Sequence, residues 1–262
     1  MHTLVIRTDA HGNDFLLINE AELPSGVDHG ALARRLCRRS PGPGADGLIV
    51  FGQSANGTRM QLRNADGSYS EVSGNGVRCL GAWLAHQGNL ASGAEITIDT
   101  DAGSRVLTLL ERDGRRFRFR ASMGNPAAIR RFVLDVNGEP VDVATLNVGN
   151  PQCIVLDRCD VESLQRLGRS IAVHPQFPDG TNVEFLRVDA PDRLRILIWE
   201  RGVGPTASSG TGTCASAVAA ACFAGARRDV EVTAPGGTQR VEWSDEGLWL
   251  TGWAEVVEEI AM

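Results

Sequence analysis

Lysine is absent from this chain: all 26 basic residues among its 262 are arginine. Without lysine there is no Schiff-base partner for pyridoxal phosphate. A phosphate loop of the G-x-x-x-x-G-K-[ST] type is excluded for the same reason. A basic surplus is missing as well. The net charge is −6 with 22% charged residues, which leaves no electrostatic footprint for nucleic acid. No apolar run approaches the ~18 residues of a membrane span. Met1 to Asp9 carries no apolar signal-peptide core, so a soluble cytoplasmic protein with no membrane partner is expected. The six cysteines (Cys37, Cys79, Cys153, Cys159, Cys214 and Cys222) form no C-x-x-C pair and no Cys/His metal spacing. Neither a zinc site nor a disulfide framework is expected; the thiols read as small packing groups.

What the sequence does contain is one turn written twice: Ser73-Gly74-Asn75-Gly76 and Ser209-Gly210-Thr211-Gly212. Each runs into an apolar segment of helical character, through Val77, Leu80, Trp83 and Leu84 in the first copy and Ala215 to Ala221 in the second. Serine suits an N-cap, and the glycines let first-turn N–H groups approach an anion. The surroundings repeat too. Asn64 precedes Ser73 by nine residues, and Glu200 precedes Ser209 by nine; Asp46 and Asn182 each stand 27 before their serine. Gly12-Asn13-Asp14 and Gly149-Asn150-Pro151 both precede strand-like runs. A period near half the chain is too long for a solenoid repeat. It reads as a duplicated domain, with a ligand expected to meet both helix starts in a shared cleft.

The expected elements follow this duplication. Leu4 to Arg7 and Phe15 to Ile18 read as a hairpin, and His29 to Arg39 reads as a helix stopped by Pro41-Gly42-Pro43-Gly44. Strands are expected at 48–51, 60–63, 96–99, 106–110 and 117–119, with a helix over 74–87. The second half repeats the order, with strands near 143–148, 153–157, 183–188, 194–199, 230–233, 239–243 and 248–250. The expected fold class is α+β: two pseudo-symmetric barrel-like domains, each an antiparallel-rich sheet around one central helix. The expected boundaries are 1–120 and 121–250, with a last strand at 251–262 that returns to the first half.

Two helix starts facing a cleft suit a carboxylate. Asn13, Asn64, Asn150, Asn182, Glu200 and Arg201 are the polar residues expected around it, Arg201 offering a bidentate partner. At these residues the chain resembles the diaminopimelate epimerase family over nearly its whole length. The matching segments are His11-Gly12-Asn13-Asp14-Phe15, Gly44-Ala45-Asp46-Gly47, Asn64-Ala65-Asp66-Gly67-Ser68, Gly74-Asn75-Gly76-x-Arg78-Cys79, Gly149-Asn150-Pro151, Thr181-Asn182-Val183-Glu184-Phe185, Glu200-Arg201-Gly202-Val203-Gly204 and Gly210-Thr211-Gly212. The resemblance implies inversion at an amino-acid α-carbon with no cofactor, in lysine and peptidoglycan precursor synthesis, by a homodimer. It implies substrate binding by Asn13, Asn64, Gly74, Asn75, Asn150, Asn182, Glu200, Arg201, Gly210 and Thr211.

The departures fall on the acid/base groups. The family's two proton-transferring cysteines correspond to Ser73 and Ser209, and its usual histidine after Gly-Asn-Pro corresponds to Gln152. Pro205 stands where a glutamate is common. A helix N-terminus contributes about 0.3–1 kcal/mol, up to ~2 when partly buried, so it moves a pKa by roughly one unit. That brings a thiol near pKa 8.5 within reach of ionisation but leaves an alkyl hydroxyl neutral. Serine therefore needs a neighbouring base, and His11, Asp14 and Glu200 are the candidates. Ser73 and Ser209 are the expected catalytic pair of a two-base epimerase, in a serine-bearing branch of the family or a chain with both cysteines substituted. The alternatives are an isomerase or dehydratase of another amino or hydroxy acid, and a binding protein that has lost catalysis. A dinucleotide site at Gly210 to Ala215 is disfavoured because the preceding strand ends near Glu200, too far from the turn. Neither serine sits in the G-x-S-x-G turn of a hydrolase.

Overall fold

The computed structural model describes residues 3–262. The chain forms two compact units: one runs to Ala121 and resumes over Gly252–Met262, and the other is Ser122–Thr251.

The first unit contains β1 (Leu4–Ala10), β2 (Asn13–Asn19), α1 (His29–Leu36), β3 (Gly47–Ser54), β4 (Gly57–Asn64), β5 (Tyr69–Ser70), α2 (Gly74–Gln87), β6 (Glu95–Thr100), β7 (Gly103–Asp113) and the start of β8 (Arg116–Gly124). Hairpins pair β1 with β2, β3 with β4, β6 with β7 and β7 with β8 in antiparallel fashion. The two pairs bridged by a helix, β2 with β3 and β4 with β6, are parallel, as crossover connections require. The chain's last strand pairs with β1 and with β8, which closes eight strands into a barrel. The helix over α1 is shorter than expected. It stops at Leu36, where the Cys37 N–H closes on Ala33 and the Gly44 N–H returns to the Leu36 carbonyl at 3.0 Å.

The second unit repeats the plan: β9 (Ala127–Val136), β10 (Glu139–Asn147), β11 (Pro151–Val155), α3 (Val161–Ala172), β12 (Asn182–Ala190), β13 (Arg193–Glu200), β14 (Gly204–Thr206), α4 (Gly210–Phe223), β15 (Asp229–Ala234), β16 (Gly237–Ser244) and the first part of β17 (Gly247–Ala261). Here again the helix-bridged pairs, β11 with β12 and β13 with β15, are the parallel ones. The expected elements did not include α3. Asp160 caps it, accepting the Ser163 N–H at 2.7 Å. Leu164, Leu167 and Ile171 then recur at helical spacing and bury against Val143, Val155, Val183 and Phe185. Each such side chain contributes about 1.5–3 kcal/mol of burial. Gly168 lets α3 settle on Trp199, since a Cβ there would stand 2.7 Å from the indole.

In each unit one helix is buried nearly all round, the mark of an element enclosed by its own sheet. In α4 the run Ala215 to Ala220 is 0–4% exposed, and its small side chains let the strands close in. The strands around it alternate. Val183 and Phe185 of β12 face α3, so Glu184 faces inward to α4, against Gly212.

Candidate active site

The first turn is built as a capped helix start. Ser73 is extended (φ −130°, ψ 125°), and its Oγ accepts the Gly76 N–H at 3.1 Å. Gly76 packs where a Cβ would stand 3.2 Å from the ends of both Ile49 and Met60. Asn75, 1% exposed, donates to Asn13 Oδ1 at 3.2 Å, and Asn13 donates to Asp46 Oδ2 at 2.8 Å. Behind them Arg78 is fully buried and donates to Asn75 Oδ1 at 2.5 Å. The structure thus joins Asn13, Asn75 and the helix start into one polar cluster. Asn64 ends β4 opposite Gly47, and its amide donates to Ser68 in its own turn at 2.9 Å.

Two of the bases expected to help serine have other partners. Asp14 accepts from Arg39 at 2.9 Å and from the Asp46 N–H at 3.0 Å. His11, in the left-handed region at φ 58°, uses Nε2 to accept the Trp253 N–H at 3.1 Å, so it anchors the returning last strand. Cys79 is no substitute base: burial pushes its thiol up to about 12.

The second turn repeats the cap with a different backing. Ser209 (φ −143°, ψ 124°) accepts the Gly212 N–H at 3.0 Å, and Thr211 Oγ1 lies 3.4 Å from its Oγ. Asn150 Nδ2 reaches Thr211 at 3.4 Å. Gln152, 1% exposed, links to Asn150 Oδ1 at 2.6 Å and Thr211 Oγ1 at 3.2 Å. In the parallel register Gln152 stands opposite Asn182, and Ile154 opposite Glu184. Glu184 is wholly buried; desolvation, with the neighbouring charge of Glu200 adding to it, pushes its carboxyl well above the ordinary glutamate range. The N-terminus of α4 opposes that shift, but by at most ~2 kcal/mol, less than full burial of a charge costs. Asn182 Oδ1 accepts the Arg201 N–H at 2.9 Å, while the exposed Arg201 guanidinium donates to the Asp179 carbonyl at 2.6 Å. Asn150, Asn182 and Thr211 are therefore brought together, and Arg201 joins them through its backbone.

The diaminopimelate epimerase family profile matches residues 6–129 and 144–257. The chain belongs to the diaminopimelate epimerase family. It is 37% identical over 275 residues to the diaminopimelate epimerase of Desulfitobacterium hafniense, covering 97% of this chain and 95% of that one. With the diaminopimelate epimerase of Desulforudis audaxviator the identity is 38%, with 94% of each covered. Among solved structures, a probable proline racemase from Agrobacterium radiobacter superposes with a TM-score of 0.77 at 17% identity, covering 99% of this chain and 92% of that one. A predicted epimerase from Pseudomonas aeruginosa gives 0.76 at 14%, covering 100% and 99%. These two establish the fold, which is α+β as expected.

Within that family frame, three members of the clusters escaped the sequence reading as site residues: Arg78, Gln152 and Glu184. Gln152 was legible only as a departure. Arg78 and Glu184 lie inside matching motifs, and the one available signal was a charged residue set in an otherwise apolar run.

Proposed function

We propose that this chain is a cofactor-independent epimerase that interconverts LL- and meso-diaminopimelate. One serine, of the pair Ser73 and Ser209, takes the α-proton while the other delivers a proton to the opposite face. The substrate carboxylate is taken up at the helix starts, whose first-turn dipoles favour an anion. Asn13, Asn64, Gly74, Asn75, Asn150, Asn182, Glu200, Arg201, Gly210 and Thr211 bind and orient the substrate. A neutral hydroxyl must pass its own proton on as it receives another, so each serine works as a relay and not as a standing alkoxide: the receiving serine gives its own proton up to solvent, and solvent reprotonates the delivering one. For Ser209 the adjacent hydroxyl of Thr211 supplies the first step of that relay. The reading also places the chain in lysine precursor synthesis, in the cytoplasm, as a homodimer.

The observation that carries it is the duplicated cap. In a chain of this family, each serine sits at a helix N-cap and accepts the N–H of a glycine three residues on. The test is incubation of purified chain with LL-diaminopimelate, followed by chiral chromatography. Appearance of the meso isomer, approaching the same final ratio from either side, is the expected result. Saturable binding without interconversion would sink the proposal.

A further inference from the structure

Helix α1 ends in a crowd of like charges. Arg34, Arg35, Arg38 and Arg39 fall close together in a chain whose net charge is −6. Arg39 is paired, reaching Asp14 at 2.9 Å and Asp46 at 2.8 Å. Arg34, Arg35 and Arg38 are exposed and make no hydrogen bond or ion pair among the described residues. All three line one groove of about 680 Å³, together with Leu36, Pro41 and Met262. No aspartate or glutamate is found among the described residues that line it.

The dipole of α1 accounts for a cation at its last turn, at about 0.3–1 kcal/mol. It does not account for three on one groove. Arg35 and Arg38 stand three apart and Arg34 and Arg38 four apart, spacings at which like charges at a helix end repel. The carboxylates that bear on Arg34 are Asp28 and Asp66. Both already accept backbone N–H groups, Asp28 from Gly30 and Asp66 from Ser68, each at 2.8 Å. The groove is also held in shape. The Gly44 N–H returns to the Leu36 carbonyl at 3.0 Å and the Ala45 N–H to the Cys37 carbonyl at 3.1 Å, tying the loop at Pro41 to Pro43 against α1. Arg7 of β1 donates to the Pro43 carbonyl and pairs with Glu258 at 3.0 Å. Gly42 permits the close approach, since a Cβ there would stand 2.5 Å from the Arg38 carbonyl oxygen. Met262 exchanges backbone hydrogen bonds with Thr3, each 3.0 Å.

Three guanidinium groups with no internal counter-ion call for a ligand with several negative charges. Their planar donor pairs match phosphate oxygens two at a time, and the volume falls in the range of small-molecule sites. The apolar lining suits a body attached to the phosphates. We propose that this groove is a second binding site, for a small phosphate ester carrying two or more phosphate groups. Its lining shares no residue with the clusters around Ser73 and Ser209, so the proposal stands whatever reaction those clusters perform.

The test titrates the full chain with inorganic phosphate, pyrophosphate, ADP and succinate at fixed ionic strength, which holds screening constant. Arginine Nε–Hε signals are followed by NMR and assigned through R34Q, R35Q and R38Q. The signals of Arg34, Arg35 and Arg38 are expected to shift saturably with pyrophosphate and ADP. ADP is expected to bind the more tightly, and phosphate and succinate at least about tenfold more weakly than pyrophosphate. The double variant R35Q/R38Q is expected to weaken ADP binding by about a hundredfold, about tenfold for each charge-assisted hydrogen bond lost. ADP is expected to raise the urea midpoint of wild type and to leave that of R35Q/R38Q unmoved. No saturable shift with pyrophosphate or ADP, succinate binding as tightly as pyrophosphate, ADP binding no more tightly than pyrophosphate, or undiminished ADP affinity in R35Q/R38Q would each overturn the proposal.

Discussion

The two helix starts share a backbone and differ in what is buried behind them. In the first, Gly76 packs on Ile49 and Met60, and the fully buried Arg78 holds Asn75. In the second, Gly212 packs on Glu184. Cys214 takes the place of Arg78, five residues after the serine in both copies. The two units therefore share the cap, the glycines and the strand order but set a buried cation behind one turn and a buried carboxyl behind the other. A neutral serine hydroxyl gains nothing decisive from a helix dipole alone, so what distinguishes the turns is this backing: a cation under one and a protonatable carboxyl under the other.

The comparison breaks most visibly at the serines. S73A and S209A each remove one member of the pair, and each is expected to lower kcat by about 10²–10⁴, as loss of a positioned acid or base does. Steady-state rates in both directions check this. Next in size is the pH dependence of stability. Burial raises the folded-state pKa of Glu184 above its unfolded value near ~4.3. Between those two values the folded chain keeps a proton that the unfolded chain has released. Stability is therefore greatest below the unfolded value and falls as pH rises through the window, by up to about 1.4 kcal/mol per pH unit. Urea midpoints of wild type across that window are expected to show this slope, and those of E184Q to lack it.

The other side of the comparison is probed by R78M. It strips Asn75 of a buried donor and is expected to cost about 1–3 kcal/mol, the penalty for a polar group left unsatisfied, read from the urea midpoint. Glycine substitutions sharpen the contrast with the smallest effects. A Cβ at Gly212 would stand 2.9 Å from Glu184 Cδ, so G212A is expected to destabilise by about 1–3 kcal/mol through overpacking. At Gly76 the neighbours are the flexible ends of Ile49 and Met60 at 3.2 Å. There the helix propensity of alanine, favoured by about 1 kcal/mol over glycine, offsets the crowding, and G76A is expected to stay within about 1 kcal/mol of wild type. Equal effects of the two substitutions would contradict the difference in backing.

The duplication was legible because spacing survives folding: Asn13 to Ser73 and Asn150 to Ser209 differ by one residue. Within that span the spacing drifts, longer before Gly47 and shorter after it than around Asn182, and this misplaced a counterpart. Spacing set Asp46 against Asn182, whereas the strand registers set Gly47, opposite Phe15, against Asn182, opposite Gln152. The helix α3 had a local signal that went unread: Asp160 suits an N-cap, and Leu164, Leu167 and Ile171 recur at helical spacing between Glu162, Gln165, Arg166 and Arg169. Glu184 was hidden by a more general cause. β12 is covered on both faces, by α3 and by α4, so residues 182–186 are all buried. A two-residue alternation has no polar face left to reveal an inward carboxyl. The caps, by contrast, are local chemistry: Ser73 and Ser209 were readable because the glycine each bonds lies three residues away.

The most direct measurement is deuterium exchange at the α-carbon of LL- and meso-diaminopimelate in D₂O, followed by NMR for wild type and for S73A and S209A. The account predicts that wild type incorporates deuterium while inverting the centre, and that each alanine variant loses that inversion. Inversion that survives in either variant, or wild type that binds diaminopimelate without exchanging its α-proton, would contradict it.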